Sequence, residues 1–196
     1  MALAGLAAFI AMRCWIPVLA PLPDTGMKGQ FRFLANIRPW LIYIGVFCGQ
    51  AGVYTWLSYI SPIMIKVTGF PEMSMSWIMI LVGAGMVVGN IVAGKLADRY
   101  SLTLVPAVIA TLIVVVMSAI YFLAPYKLPS LALAFIAAGL LFGIGGPLQF
   151  LITRYSKGGE MLGGAGIQIA FNVSNAMAAA LGGLAIRAGF GLASPA

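Results

Sequence analysis

Five long apolar stretches run through the 196-residue chain, and each has the length of a helix that crosses a lipid bilayer. A spanning helix needs about 20 apolar residues, because each residue rises about 1.5 Å and the hydrocarbon core is about 30 Å thick. Hydrophobic residues make up 62% of the chain and charged residues 8%, whereas a soluble domain carries about a quarter charged residues. The sequence therefore predicts an all-α, polytopic membrane helix bundle.

The expected spans lie near residues 40–60, 77–97, 102–124, 131–152 and 161–186. The segments between them are short and hold proline, glycine or charge, as in Ser61-Pro62, residues 69–72, 125–129 and 157–160. Such residues break helices and form turns. Because the connections are so short, consecutive spans are predicted to run antiparallel.

The sequence divides into three parts with different expected roles. Residues 1–16 are apolar but too few to cross a bilayer before Arg13 and Trp15 indicate an interface, so we interpret them as the end of a truncated transmembrane helix. Residues 17–39 are the longest polar stretch and are predicted to form a cytoplasmic linker. Residues 40–196 are predicted to form a transmembrane bundle of five complete spans whose final span is missing.

The 11 lysine and arginine residues fall unequally on the two sides that alternating spans create. If the linker is cytoplasmic, eight cations lie on its side of the membrane and three on the other. Cytoplasmic loops of membrane proteins carry the excess of positive charge, so this bias predicts the orientation. The eight are Arg13, Lys28, Arg32, Arg38, Lys95, Arg99, Arg154 and Lys157, and the three are Lys66, Lys127 and Arg187.

Composition also argues against several classes of function. The net charge of +7 is spread between apolar runs and forms no basic polar stretch, which disfavours nucleic acid as a partner. Histidine is absent and cysteine occurs twice, so neither a metal site, a cofactor nor a disulfide framework is expected. An enzyme within the membrane needs catalytic groups at bilayer depth, but the four acids lie in loops or at helix ends. These acids are Asp24, Glu72, Asp98 and Glu160.

Glycines recur at a spacing of four residues in three of the predicted spans. The pairs are Gly45 and Gly49, Gly85 and Gly89, and Gly139 and Gly143. In lipid, small residues at this spacing let two helix backbones approach closely. We expect ordinary helix packing at each pair, and packing between helices that slide is the functional alternative.

Two stripes of uncharged polar residues follow single helix faces inside the spans. They consist of Gln50, Tyr54 and Ser58 on the first span, and of Gln168, Asn172 and Asn175 on the last. Polar groups are costly in lipid and mark a cavity or a helix contact. With Trp56 and Phe171 nearby, the stripes fit a cavity for a neutral or amphipathic solute, and interhelical hydrogen bonding is the alternative. The single polar residues Asn90 and Gln149 are assigned to packing.

A charged turn follows the second span and holds Gly94, Asp98 and Arg99. A carboxylate at a helix end can be held by an arginine and by the positive N-terminus of a neighbouring helix. The turn is therefore a candidate conformational latch. Alternatively, Lys95 and Arg99 only follow the charge bias, and Asp98 is solvated.

Several segments together resemble the C-terminal half of a major facilitator superfamily protein from the bacterial drug and sugar efflux branch. GAGMVVGN (83–90) running into GKLADR (94–99) resembles the second helix and the following loop of a half. YTWLSYISP (54–62) resembles the end of that branch's seventh helix, and AFNVSNA (170–176) with ALGG (180–183) is similar to its eleventh. Tyr100 and Ser101 stand where the family pattern continues with glycine and further cations.

The resemblance implies a secondary active transporter that exports drugs, sugars or nucleosides by alternating access as a proton antiporter. It implies a multi-pass protein of the bacterial inner membrane, with protons, a small-molecule solute, lipid and the missing N-terminal half as partners. The alternatives from other classes are a membrane-embedded enzyme and a non-transporting membrane assembly subunit. The placement of the acids favours a transporter over an enzyme.

Overall fold

The computed structural model describes residues 26–188 and, nearer the start of the chain, residues 5, 6, 9–11 and 14. Arg13 and Trp15 of the predicted truncated helix lie outside these residues. Among the described residues the regular structure is helical without a strand, and six helices are long. They are α1 (Ile37–Ser58), α2 (Met75–Arg99), α3 (Leu104–Leu123), α4 (Lys127–Gly143), α5 (Gly145–Tyr155) and α6 (Glu160–Arg187).

The long helices include five segments that are long and apolar enough to span a membrane, because α4 and α5 together make one segment, Lys127–Tyr155. This confirms the predicted all-α membrane bundle. We call the end where α1, α3 and α6 begin the basic end of the bundle, since Lys95, Arg99, Arg154 and Lys157 lie there. The other end carries Lys66 and Lys127.

Part of the predicted linker is helical. A short helix, Gly26–Phe31, continues into a 3₁₀ turn, Arg32–Ala35, whose Phe33 side chain is buried. Helix α1 then begins at Ile37, earlier than the expected residue 40. Pro39 stands in the first turn of α1, where its missing N–H leaves no helical hydrogen bond unmade.

Proline sets the end of α1. The ring of Pro62 would clash with the carbonyl of Ser58, the last residue of α1. The chain nevertheless stays helical through Ile60–Pro62 and a π-helical segment, Ile63–Val67, so Ser61 and Pro62 are not the connection that their sequence suggested. The helical segment ends at Val67. The next residue joins this connection to the end of α3, because Thr68 Oγ1 donates to the carbonyl of Ala124 at 2.8 Å.

The fourth predicted span is broken into α4 and α5 at Ile144. Pro147 removes one backbone donor and its ring conflicts with the carbonyl of Gly143, the last residue of α4. Gly145 and Gly146 add backbone freedom at the same point. The segment is apolar along its whole length, and so the sequence pattern predicted one uninterrupted helix.

Helices α2 and α4 pack through two of the three predicted glycine pairs. A Cβ atom on Gly85 would collide with the backbone of Phe135, and one on Gly89 would collide with the backbone of Gly139. A Cβ on Gly143 would lie 2.9 Å from the carbonyl oxygen of Gly89. Close helix packing is therefore confirmed at these pairs. At Gly45 and Gly49 of α1, by contrast, nothing lies within 4 Å of the added atom among the described residues.

Helices α1 and α6 form the other extensive pair, and hydrogen bonds from side chains to backbone join them. Tyr43 Oη donates to the carbonyl of Gly163 at 3.1 Å near the basic end, and Tyr59 Oη donates to that of Ala179 at 2.9 Å near the other end. The two helices therefore run parallel. Helices α2 and α4 are parallel as well, since Gly85 meets Phe135 and Gly89 meets Gly139.

Candidate functional site

The polar stripe of α6 is exposed on the described bundle. Gln168, Asn172 and Asn175 all have exposed side chains, and they lie in the middle part of a 28-residue helix. The packed face of α6 is a different one, formed by buried residues such as Ile167, Ser174 and Ala178. Asn172 Nδ2 donates to the carbonyl of Gln168 at 2.9 Å. The stripe therefore places its amides near the middle of the span, on a face of α6 that does not pack against the other described helices.

The stripe of α1 is graded in burial. Gln50 is only 2% exposed, and neither polar atom of its amide has a hydrogen-bond partner among the described residues. Tyr54 is half-buried, and Ser58 is exposed at the last residue of the helix. A buried amide without partners costs about 1–3 kcal/mol. Gln50 is therefore the polar group of this stripe that the packing leaves least satisfied.

A cavity of about 370 Å³ adjoins Gln50. It lies between α1, α3 and the break between α4 and α5, and its other walls are largely apolar. Residues lining it include Gly49, Ile113, Met117 and Leu148. Among the described residues its lining includes no residue of α6. The structure thus does not gather the six predicted stripe residues around one cavity.

The two aromatic residues expected near the stripes belong to the hydrophobic core or pack against it. Trp56 is fully buried in the core, and its indole N–H finds no hydrogen-bond partner in the part of the chain that the structure describes. Phe171 is half-buried and packs against the same core. Gln149, assigned to packing, lies against α6, because its Nε2 atom is 2.9 Å from where a Cβ on Gly164 would stand. Asn90, also assigned to packing, is exposed.

Sequence reasoning missed the residues that join α1 to α6. Besides Tyr43 and Tyr59, these include Ser174, whose Oγ donates to the carbonyl of Phe47 at 2.9 Å. Ser174 stands between Asn172 and Asn175 in sequence but faces the opposite way, into the helix contact. The glycines of α6 were the sequence feature that could have indicated this contact. In the structure Gly166 faces Tyr43 and Gly182 faces Tyr59.

The predicted latch residues lie at the basic end of α2. Asp98 and Arg99 are exposed in the last turn of the helix, and Gly94 has open space around it among the described residues. Within the part of the chain that the structure describes, Asp98 makes no ion pair or side-chain hydrogen bond. The latch stays a prediction.

Within the described residues, no three His, Cys, Asp or Glu side chains lie together as a metal site would require. In the middle parts of the described spans the polar side chains of the stripes are amides and hydroxyls, which donate and accept hydrogen bonds without carrying charge. The chemistry that this arrangement offers is recognition by hydrogen bonding.

Comparison with known proteins relates the chain to membrane transporters. It is 40% identical over 185 residues to AraJ of Escherichia coli (strain K12), named as a candidate transporter, with 94% of this chain and 47% of that protein covered. It is 33% identical over 143 residues to the inner membrane transport protein YdhP of Escherichia coli O157:H7, covering 73% and 36%. It is 28% identical over 188 residues to the uncharacterized MFS-type transporter YtbD of Bacillus subtilis (strain 168), covering 92% and 46%.

No family model matches the chain, and no solved structure matches it. The chain spans about half the length, or less, of the curated relatives it matches. The five apolar helices and these relatives define a multi-pass membrane protein. The chain is related to the major facilitator superfamily of transporters, as its sequence motifs predicted.

Proposed function

We propose that this chain is part of a secondary active transporter that exports small organic solutes of the drug, sugar or nucleoside class. Transport proceeds by alternating access, in which two helix bundles rock about a site near the middle of the membrane. The described helices form one such bundle, and the missing N-terminal half of the same protein supplies the other. Inward movement of protons drives export across the bacterial inner membrane.

The exposed polar stripe of α6 is the observation that carries the proposal. Lipid cannot hydrogen-bond the amides of Gln168, Asn172 and Asn175 at mid-span, so a face with three of them is stable only against water, solute or another protein surface. A water-filled path between two bundles meets that requirement. A purely structural helix contact requires the same residues to be covered permanently.

We propose that the stripe of α1 forms a second wall, beside the cavity between α1 and α3 and apart from the exposed face of α6. Gln50 has hydrogen-bonding capacity that no described residue uses, and Tyr54 and Ser58 lie further along the same helix. Uncharged donors and acceptors suit neutral or amphipathic solutes, because such solutes need orientation by hydrogen bonds without a counter-charge. We further propose that Gly94, Asp98 and Arg99 form the latch that favours one conformation.

Transport of solute against protons is tested in inside-out membrane vesicles that contain the complete gene product. Respiration acidifies the vesicle interior, and a pH-sensitive dye follows the gradient while drugs, sugars and nucleosides are added singly. An exported solute enters the vesicle as protons leave, so the proposal predicts a loss of the gradient for at least one of the three classes. A gradient that no solute dissipates, with the protein present in the membrane, argues for an assembly subunit.

Asn172→Ala tests the path itself, with Asn90→Ala as its matched control. Both asparagines are exposed on spanning helices, but Asn90 lies on α2 and outside the stripes. We expect Asn172→Ala to lower the rate of solute-dependent proton release about tenfold, the effect of losing about 1.4 kcal/mol of solute interaction, and Asn90→Ala to leave it unchanged at equal expression. Equal, small effects of both substitutions would indicate that the stripe serves contacts between helices and does not line a solute path.

A further inference from the structure

Two basic segments that are far apart in the sequence meet at one pocket on the basic end of the bundle. Arg32 and Arg38 come from the start of α1 and the turn before it, and Arg154 and Lys157 come from the connection between α5 and α6. Together with Asn36 and Tyr155 they line a cavity of about 540 Å³. The positive-inside rule explains why these cations share a side of the membrane. It does not explain why they converge.

Backbone packing holds the two segments together. Phe33 is 4% exposed, and it lies against Gly159, where a Cβ atom would be 2.8 Å from the Phe33 ring and would collide with the carbonyl of Gln30. The neighbouring Gly158 has a φ of +82°, a conformation that glycine adopts without strain. The two glycines thus let the α5–α6 connection lie directly on the segment before α1, and the pocket forms where they meet.

The charge of the pocket is not balanced by the described protein. None of the four cations forms a salt bridge with a described residue. Arg38 lies over the ring of Tyr155, 5.4 Å from its centroid, and the nearby carboxylate of Glu160 accepts the backbone N–H of Gly158 at 3.0 Å. Four positive charges around one cavity repel one another, and an anion placed among them relieves that repulsion.

We propose that this pocket binds a phosphate-bearing anion, either the headgroup of an anionic phospholipid or free phosphate. Guanidinium groups pair with phosphate oxygens through two parallel hydrogen bonds, and three of the four cations are arginines. The pocket lies at helix ends, the depth at which lipid headgroups lie, and basic pockets between spanning helices at this level bind anionic headgroups. The half-buried ring of Tyr155 gives the same pocket an apolar surface.

Native mass spectrometry of the purified chain in a neutral detergent tests the proposal by counting bound lipids. Phosphatidylglycerol, phosphatidylcholine and inorganic phosphate are added in separate titrations. Arg38→Gln/Arg154→Gln is expected to weaken phosphatidylglycerol binding roughly 30-fold, since each cation near the surface contributes about 1 kcal/mol. Lys95→Gln/Arg99→Gln removes the same charge from the same end of the bundle, outside the pocket, and should change binding by less than about twofold.

Arg38→Lys/Arg154→Lys keeps the charge and tests binding where the glutamine variant fails to fold. It should bind more tightly than the glutamine variant but more weakly than the parent chain, because a lysine cannot form the paired hydrogen bonds of a guanidinium group. Binding of phosphatidylglycerol that free phosphate does not match identifies a lipid site, and equal binding of inorganic phosphate identifies a soluble anion. Equal losses in the two glutamine variants would overturn the proposal, because the attraction would then be diffuse. Equal binding of phosphatidylcholine and phosphatidylglycerol, with no phosphate bound, would overturn it as well.

Discussion

At the scale of single residues, the same glycine spacing has two different outcomes in this bundle. Gly85 and Gly89 of α2 lie so close to the backbone of α4 that no side chain fits between the helices. Gly45 and Gly49 of α1 have open space where a Cβ would be, among the described residues. Spacing alone does not separate these cases, because the contact depends on which face of the helix the fold turns toward a neighbour.

Alanine at Gly89 and alanine at Gly49 should therefore affect stability in opposite directions. Gly89→Ala places a methyl group against the backbone of Gly139, and such overpacking costs about 1–3 kcal/mol. Gly49→Ala meets nothing among the described residues and gains up to about 1 kcal/mol of helix propensity. Thermal unfolding in detergent, followed by circular dichroism, measures both. A destabilisation by Gly49→Ala as large as that by Gly89→Ala would contradict the described packing of α1.

The predicted site shows the same limit of sequence reasoning. Helical periodicity groups Gln168, Asn172 and Asn175 on one face, since 3.6 residues per turn fixes which side chains align. It did not show that this face is exposed while Gln50 is buried. Burial depends on contacts between distant segments, and neither hydropathy nor spacing within one helix contains them.

At the scale of helices, length and hydropathy were sufficient to predict five spans, because the bilayer imposes one length on all of them. The details that the prediction missed come from proline and from tertiary contacts. Pro147 divides a continuous apolar run into α4 and α5, and the helical backbone continues past Pro62 as a π-helical segment. Proline was visible in the sequence, but whether it ends a helix or bends it depends on the packing around it.

The parallel packing of α1 and α6 can be tested by cross-linking. On a background without Cys14 and Cys48, Tyr59→Cys with Ala179→Cys should be joined by a short bifunctional thiol reagent, because Tyr59 reaches the carbonyl of Ala179. Tyr59→Cys with Ala165→Cys is the control, since the exposed Ala165 lies two residues from Gly163, at the other end of the helix pair. The chain is then cleaved between α1 and α6, and gel electrophoresis shows whether the two fragments stay joined. Preferential linking of the control pair would show that the helices run antiparallel.

At the scale of the whole molecule, helix direction and charge agree. Five spans that alternate in direction make α1 parallel to α6 and α2 parallel to α4, and these are the two pairs that pack most extensively. The same alternation places Lys95, Arg99, Arg154 and Lys157 together at the basic end. The charge bias and the packing therefore support a single path of the chain through the membrane.

This path predicts that the basic end faces the cytoplasm and that the turn before α2 faces outward. Single cysteines at Tyr100 and at Glu72, both exposed residues flanking α2, should react with a membrane-impermeant thiol reagent from opposite sides when Cys14 and Cys48 are absent. In intact cells Glu72→Cys should label and Tyr100→Cys should not, and disrupting the membrane should make both reactive. Permeabilised cells thus serve as the control for accessibility. Labelling of Tyr100→Cys alone in intact cells would show that the topology is the opposite of the predicted one. Equal labelling of both would contradict a span between them.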